Sequence, residues 1–219
     1  MIQIKNLTKI FHSKESDVIA LNEINLNLEE SNFILIKGPS GCGKSTLLFS
    51  IAGMLRPSSG EIILNGKNIY SYPEKELLKY RARYIGFVYQ SYYLIPYLDV
   101  LDNILLVNKS HGVVVTEAEV MELAKKFNLQ DRLHHKPSEL SVGEKQRVAF
   151  MRAIVVKPKI LLADEPTGNL DPENTKIIMD AFMDFRRQGG TVIMVSHGNE
   201  ADAYADRLVE MKEGKLHNA

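Results

Sequence analysis

A glycine-rich stretch near the N-terminus constrains this chain more than any other feature. Residues 38–46, GPSGCGKST, match the pattern G-x-x-x-x-G-K-S in full. An apolar run at 33–36 precedes the motif and another begins at Leu47, which predicts the order of strand, loop and helix that a phosphate-binding loop requires. Glycines let successive backbone N–H groups turn inward around a phosphate, and the helix adds its positive dipole end. The pattern therefore predicts a binding site for a nucleoside triphosphate.

The loop supplies the predicted nucleotide contacts, which are Gly38, Pro39, Ser40, Gly41, Cys42, Gly43, Lys44, Ser45 and Thr46. We expect the Lys44 ammonium to neutralise the β- and γ-phosphates. We expect the Ser45 hydroxyl to hold Mg²⁺, a hard cation that prefers oxygen ligands. Cys42 lies where the helix N-terminus favours a thiolate, so thiol reagents are expected to block the nucleotide site.

Composition limits the class of protein. A chain of 219 residues that is 45% hydrophobic predicts a single domain, 1–219, with a sizeable core. Lys plus Arg and Asp plus Glu both number 27, so no net basic field attracts nucleic acid. No apolar run reaches the roughly 18 residues of a spanning helix, and residues 1–5 lack the start of a signal peptide. The single cysteine excludes an internal disulfide, and we expect a soluble chain in a reducing cytosol.

Strand and helix patterns alternate along the chain. The first part is rich in predicted strands and the middle, 74–156, is predicted to be mostly helical, with Thr116 and Glu119 forming a capping box. Apolar runs such as 160–163 and 192–195 are typical of parallel strands buried on both faces. The predicted strands are 2–7, 19–28, 33–37, 61–64, 160–163, 191–195 and 207–212, and helices are predicted at 172–187 and 199–204.

Two carboxylates end one predicted strand. Asp164 and Glu165 follow the apolar run 160–163, at the edge where open α/β sheets bind ligands. We expect Asp164 to hold Mg²⁺ and Glu165 to orient or deprotonate the water that attacks the γ-phosphate. The alternative is a pair of solvated residues at a strand exit, which the phosphate-binding loop in the same chain disfavours.

These motifs together resemble those of the ATP-binding-cassette (ABC) ATPases, in the same order and over nearly all of the chain. Besides the loop and the two carboxylates, the chain has LSVGEKQR at 140–147, GNLD at 168–171, FVYQ ending at Gln90, and Ser196-His197. The signature-like segment ahead of the paired carboxylates is specific to this family. The resemblance implies a P-loop core with a parallel sheet, an antiparallel β subdomain and a helical subdomain at about 91–156 that holds the signature.

The resemblance also implies roles for residues outside the loop. It implies that Phe11 stacks on adenine, that Gln90 links the Mg²⁺ and water site to a membrane partner, and that His197 contacts the γ-phosphate. Ser141 and Gly143 are implied to contact ATP held by the opposite subunit. The residues themselves leave alternatives open, because Phe11 could be a core aromatic, Gln90 a solvated strand end and His197 a surface histidine.

The signature departs from the family pattern of Ser-Gly-Gly-Gln, which here reads Ser141-Val142-Gly143-Glu144. Valine adds bulk and glutamate adds negative charge near a polyphosphate, so we expect weaker ATP-driven closure. Ser141 and Glu144 also fit a capping box, as Asp171 before Pro172 fits a helix N-cap.

Two other groups of side chains have ordinary explanations. The adjacent histidines at 134 and 135 are expected in a solvated loop and not at a metal. The tyrosines at 89, 92, 93 and 97 are expected to pack beside Gln90 or to receive a helix from a partner.

The resemblance implies Mg²⁺-dependent ATP hydrolysis by a head-to-tail homodimer at the inner face of the cell membrane, driving separate transmembrane permease subunits. Length and motifs look most like the lipoprotein-release and macrolide-efflux branch. One alternative is a cell-division type of regulatory ATPase that signals through a membrane partner to wall hydrolases. Another is a soluble cassette ATPase acting on DNA or ribosomes, but such relatives typically carry a coiled-coil insert or two cassettes, and this sequence has neither.

Overall fold

The computed structural model describes residues 2–14, 16–109 and 112–218, and for Asn218 the backbone alone. Met1 and Ala219, the ends of the expected single domain, lie outside the described residues. The strands are β1 (Ile2–His12), β2 (Asp17–Leu28), β3 (Phe33–Lys37), β4 (Ser59–Leu64), β5 (Lys67–Asn68), β6 (Ile85–Val88), β7 (Ile160–Asp164), β8 (Thr191–Ser196), β9 (Arg207–Lys212) and β10 (Lys215–Asn218). The α helices are α1 (Lys44–Ile51), α2 (Glu74–Tyr84), α3 (Val100–Leu105), α4 (Glu117–Lys126), α5 (Val142–Ile154) and α6 (Pro172–Arg187).

The main sheet has six strands in the order β10-β9-β3-β8-β7-β6. Strands β9, β3, β8, β7 and β6 pair in parallel, and β10 adds an antiparallel edge. The phosphate-binding loop follows β3, the paired carboxylates end β7 and the segment with His197 follows β8. Because parallel strands share one carboxyl edge, this order brings three separate stretches of sequence to the same place.

A second, antiparallel sheet has the order β2-β1-β4-β5. Its long strands β1 and β2 run from Ile2 paired with Leu28 to His12 paired with Asp17, with irregularities in register between. The carbonyl of Ala20, in β2, lies beside the phosphate-binding loop. The antiparallel β subdomain therefore flanks the nucleotide loop.

Two apolar cores lie on opposite faces of the main sheet. In β3, Ile34 and Ile36 join the core shared with α1 and the antiparallel sheet, while Phe33 and Leu35 join the core shared with α4, α5 and α6. All four side chains are no more than 1% exposed. Alternation across a strand that is buried on both faces explains why its sequence is apolar throughout.

The structure corrects parts of the predicted secondary structure. The stretch predicted to be mostly helical, 74–156, also contains a strand, because Ile85–Val88 forms β6 and pairs with Ile160–Ala163 of β7. The helix predicted over 199–204 is a 3₁₀ turn at Asp202–Tyr204. The capping boxes predicted at Thr116 and Ser141 are both present. No helix in the described part of the chain is long and apolar enough to span a bilayer.

Candidate functional site

Lys44 is the first residue of α1, and only 6% of its surface is exposed. Its ammonium donates to the carbonyls of Gly38 at 2.7 Å and Pro39 at 3.0 Å. A buried ammonium partnered by neutral carbonyls is stabilised further by an anion beside it. The loop thus combines a fixed positive charge with the N-terminus of a helix.

The backbone of the loop is fixed by its neighbours. Gly43 has φ of 108°, and a Cβ there would come within 3.0 Å of the Ala20 carbonyl oxygen, so glycine is required on both counts. The Cys42 carbonyl accepts from Gly214 N at 3.1 Å, in the turn between β9 and β10. Cys42 is 7% exposed and its side chain packs in the core, so the expected block by thiol reagents requires the loop to open first.

Asp164 ends β7 beside Ser45, the second residue of α1. Burial raises the pKa of Asp164 above its ordinary value, although the Ser45 hydroxyl and the Lys44 charge act in the other direction. A desolvated carboxylate next to a hydroxyl is a set of hard oxygen donors, which suits a divalent cation such as Mg²⁺. Ser45 and Asp164 therefore fit the ion that the sequence predicted.

Glu165 is held in an uncommon backbone conformation, with φ of 47°. Its N–H donates to the Val195 carbonyl at 3.0 Å and its carbonyl accepts from Gly168 N at 3.3 Å, so hydrogen bonds at both ends maintain that conformation. Left-handed backbone in a residue other than glycine is costly and concentrates at functional positions. The turn directs a nearly buried carboxylate to the carboxyl edge of the sheet.

The Glu165 carboxylate joins two other predicted site residues. His197 Nδ1 lies 2.8 Å from Glu165 Oε2, and Gln90 Nε2 donates to the same oxygen at 3.4 Å. The Nδ1 contact leaves His197 Nε2 to face a ligand. The structure thus brings Glu165, Gln90 and His197 into one network.

The segment around Gln90 is supported by stacked rings and by a partly buried arginine. Tyr89 stacks on Phe87 with ring centroids 4.2 Å apart and meets Tyr93 edge-on at 4.9 Å. Arg152 of α5 donates to the carbonyls of Tyr92 at 2.6 Å and Tyr93 at 2.8 Å. Of the four tyrosines, Tyr89 and Tyr93 pack on each other next to Gln90, and Arg152, which the sequence did not single out, fixes the backbone of Tyr92 and Tyr93.

The signature-like segment begins α5. Ser141 Oγ accepts from Glu144 N at 3.2 Å, and the Glu144 carboxylate accepts from Ser141 N at 2.7 Å and from Arg132 Nε at 3.2 Å. Burial acts to raise the pKa of Glu144, but the bonds from Ser141 and the Arg132 charge outweigh it and the pKa is lowered. The negative charge expected beside the nucleotide is therefore paired within the chain. Val142, the other difference from the family signature, faces outward and is 46% exposed.

Helix α5 also contacts the turn that follows the paired carboxylates. Gln146 is fully buried and its amide donates to the Pro166 carbonyl at 2.7 Å. Arg147 donates to the side chain of Asn174, which in turn donates to Asp171 at 2.6 Å. The sequence missed these contacts, although polar residues at buried helical positions are a signal that could have revealed them.

The remaining predicted residues lie apart from this network. Phe11 is on β1 and is 43% exposed, with the Lys9 ammonium 5.2 Å from the ring centroid. Within the described ranges, no hydrogen bond or ion pair joins Ser141 or Gly143 to the phosphate-binding loop. Phe11 therefore has an open face for a planar ligand, and the signature residues need a ligand from outside their own loop.

Two other features are not part of this site. A cavity of about 830 Å³ is lined by Ile160 and Thr191, the first residues of β7 and β8, and so lies at the opposite edge of the sheet from the phosphate-binding loop. His134 lies on the surface and contacts Asp99 at 3.3 Å, and His135 contacts Arg132 at 3.2 Å. In the part of the chain that the structure covers, no cluster of three His, Cys, Asp or Glu residues is placed to hold a metal.

The fold and the site define a P-loop ATPase of the cassette type. A family model described as "ABC transporter" matches residues 21–168. The chain is 39% identical over 218 residues to an uncharacterised ABC transporter ATP-binding protein of Methanocaldococcus jannaschii, MJ1508, covering 99% of this chain and 97% of that protein. It is 39% identical over 219 residues to the lipoprotein-releasing system ATP-binding protein LolD of Syntrophus aciditrophicus, covering 99% and 98%.

A solved structure agrees over the full length of the chain. The ATP-binding cassette MJ0796, in a dimeric post-hydrolysis state bound to ADP and Pi, matches with a TM-score of 0.91 and 35% identity, covering 100% of this chain and 98% of the other. The chain therefore belongs to the ABC transporter family and is one of its ATPases, as the motifs predicted.

Proposed function

We propose that this ATPase works as a head-to-tail homodimer at the inner face of a cell membrane, where it drives separate permease subunits in export, lipoprotein release or mechanical signalling. The observation that carries the proposal is the network at the carboxyl edge of the main sheet. There Glu165 meets His197 and Gln90, and Asp164 meets Ser45. The LolD relative, named for lipoprotein release, supports the transport branch.

The phosphate-binding loop and the two carboxylates are the proposed hydrolytic machinery. Lys44 would exchange its bonds to two loop carbonyls for bonds to the β- and γ-phosphates. Ser45, Asp164 and Gln90 would hold Mg²⁺, which when bound neutralises charge on the phosphates. The donor set supports this assignment, because oxygen atoms of a hydroxyl, a carboxylate and an amide are the ligands that Mg²⁺ prefers.

Glu165 is the proposed base. Its carboxylate would accept a proton from the attacking water while the 2.8 Å contact with His197 keeps the side chain in place. A protonated Nε2 of His197 would then donate to the γ-phosphate, and Phe11 would stack on adenine from the antiparallel sheet. The backbone bonds that maintain the left-handed turn at Glu165 support a role that needs one fixed direction.

The homodimer is proposed because Ser141 and Gly143, among the described residues, make no hydrogen bond or ion pair to the phosphate-binding loop of their own subunit. The dimeric MJ0796 cassette offers an arrangement in which two copies associate. In such a pair the capped N-terminus of α5, with Ser141 and Gly143, would meet ATP held by the other subunit, where a helix N-terminus favours an anion. The exposed Val142 would lie at the same surface.

A membrane subunit is proposed to bind beside Gln90. Three large side chains project there or nearby, with Tyr97 74% exposed, Tyr93 65% and Met54 45%. A cavity of about 240 Å³ lies below, lined in part by Phe87, Tyr89 and Arg152. An exposed apolar patch next to a site residue is typical of a binding surface, and a helix from a permease would place its motion in contact with Gln90.

Affinity capture tests the membrane partner. Tagged wild-type chain and a Tyr93→Ala, Tyr97→Ala variant would be captured from detergent-solubilised membranes of the source cells. Wild type should retain an integral membrane protein in near-stoichiometric amount, and the variant should lose it. Met121→Ala, which removes a side chain of 38% exposure on α4, is the control and should bind normally. Equal recovery with wild type and the tyrosine variant would reject this surface.

A further inference from the structure

Lys37 ends β3, directly before the phosphate-binding loop, and none of the motifs includes it. Its ammonium donates to Asn199 Oδ1 at 2.6 Å and to both carboxylate oxygens of Asp202 at 2.9 Å. An ammonium has three N–H donors, so this one is fully used. The three bonds join positions more than 160 residues apart in the chain.

The segment that these bonds hold begins at His197. Ser196 pairs with Lys37 across β8 and β3, and Ser196 Oγ accepts from Gly198 N at 3.1 Å. Asp202 N donates to the Asn199 carbonyl at 3.2 Å, and Ala201 is 1% exposed. The sheet thus holds Ser196, directly before the segment 197–202, and Lys37 holds the end of that segment. His197 lies between these two supports.

The position of the Lys37 ammonium distinguishes it from an ordinary surface charge. The Lys37 side chain is 18% exposed and that of Asp202 is 39%. Exposed ion pairs contribute little to stability, but a largely buried lysine with three simultaneous acceptors restricts geometry. The next residue in the chain, Gly38, accepts a hydrogen bond from Lys44 through its carbonyl. Lys37 thus connects the phosphate-binding loop to the segment that contains His197.

We propose that Lys37 is a positioning residue, which fixes the segment 197–202 through Asn199 and Asp202 and so keeps His197 Nδ1 on the Glu165 carboxylate. The proposal rests on the functions proposed above for Glu165 and His197. Loss of the Lys37 bonds releases the far end of the segment, and the 2.8 Å contact between His197 and Glu165 then lacks one of its two supports.

The first test reads the His197 ring directly, in protein without nucleotide. Its ¹H–¹³C resonance is assigned by its disappearance in His197→Gln. Lys37→Met keeps the length of the side chain but removes the charge, and should shift or broaden that resonance. Asp202→Asn, which removes the other charge with little change of shape, should have the same effect, and Lys37→Arg should restore the wild-type position in part.

The matched control is Lys176→Met, which removes the ion pair between Lys176 and Asp180 on the surface of α6. It should leave the His197 resonance unchanged. A resonance that stays at the wild-type position in both Lys37→Met and Asp202→Asn would overturn the proposal, whatever the ATPase activity of these variants.

The second test is a double-mutant cycle on steady-state ATP hydrolysis. Lys37→Met should lower kcat several-fold with little change in KM, and should cause no further loss in a His197→Gln background. Equal loss of kcat in both backgrounds would show that Lys37 does not act through His197. If His197→Gln alone keeps full activity, the proposed role of His197 fails, while the NMR test still decides whether Lys37 positions the ring.

Discussion

Gly143 lies so close to Asn174 that the effect of Gly143→Ala on the free energy of unfolding should depend on whether Asn174 is present. A Cβ at Gly143 would lie within 3.0 Å of the Asn174 side chain, a distance that real Cβ atoms essentially never show. Asn174 is a short side chain held by Arg147 and Asp171, so it moves only by breaking those bonds. Gly143→Ala should therefore displace Asn174.

The expected change in the free energy of unfolding is the sum of two opposing contributions. Loss of the charged hydrogen bond from Arg147 costs about 1.5–3 kcal/mol, and it leaves a guanidinium whose buried Nε already lacks a partner among the described residues. Replacing glycine by alanine inside a helix returns up to about 1 kcal/mol. The net effect of Gly143→Ala should be a loss of roughly 0.5–2 kcal/mol in the free energy of unfolding.

Asn174→Ala opens the space, so in that background Gly143→Ala should stabilise the protein by up to about 1 kcal/mol. Urea unfolding of the wild type, the two single variants and the double variant measures all four free energies. A change from destabilising to stabilising would confirm the contact between Gly143 and Asn174. The same destabilisation by Gly143→Ala in both backgrounds would refute the reasoning.

Three further predictions concern the phosphate-binding loop and the carboxylate next to it. Lys44→Ala should nearly abolish ATP turnover, because the phosphate charge loses its ammonium; an activity assay showing wild-type turnover would contradict this. N-ethylmaleimide should modify the buried Cys42 slowly, at a rate close to that of global opening, as mass spectrometry can measure. Asp164→Asn should raise the free energy of unfolding at pH 7 in the absence of nucleotide. The pKa of Asp164 is raised in the folded protein, so the stability that wild type has below pH 3.8 is lost as the pH rises through that raised pKa, a loss that the asparagine avoids. Urea unfolding should show that gain at pH 7, and MgATP should no longer stabilise the variant.

The sequence contained the parts of the site that local patterns define. The loop 38–46, the carboxylates after an apolar strand and the capping residue Ser141 each follow from a few adjacent residues, and the structure places the loop, Asp164 and Glu165 as their order predicted. Parallel strands buried on both faces also follow from continuous apolar runs, as β3 and β8 show.

Features that depend on distant pairing could not be predicted in the same way. Strand β6 is four residues long and pairs with β7, and the sequence suggested only that a strand could end at Gln90, inside a stretch predicted to be mostly helical. The bonds from Lys37 to Asp202 and from Arg152 to Tyr92 join residues far apart in the chain. The left-handed turn at Glu165 is fixed by a carbonyl of β8, which no local pattern at Glu165 reveals.

The burial of Cys42 shows a limit of another kind. Its place at a helix N-terminus suggested a target for thiol reagents, but access depends on what packs above it. The turn between β9 and β10 covers the loop through the bond from Gly214 N to the Cys42 carbonyl. Exposure is a property of the assembled fold, so the loop motif alone could not supply it.

The central claim is that Glu165 is the base in a site completed by a second copy of the chain. Glu165→Gln keeps the shape of the side chain but removes the base and one negative charge, so ATP should bind while hydrolysis slows by orders of magnitude. Size-exclusion chromatography of Glu165→Gln with MgATP, run beside the same variant with MgADP and beside wild type, measures both consequences together with an activity assay. We predict an inactive protein that elutes as a dimer with MgATP and as a monomer with MgADP. Hydrolysis at the wild-type rate would contradict the role of Glu165, and an inactive protein that stays monomeric with MgATP would contradict the completed site.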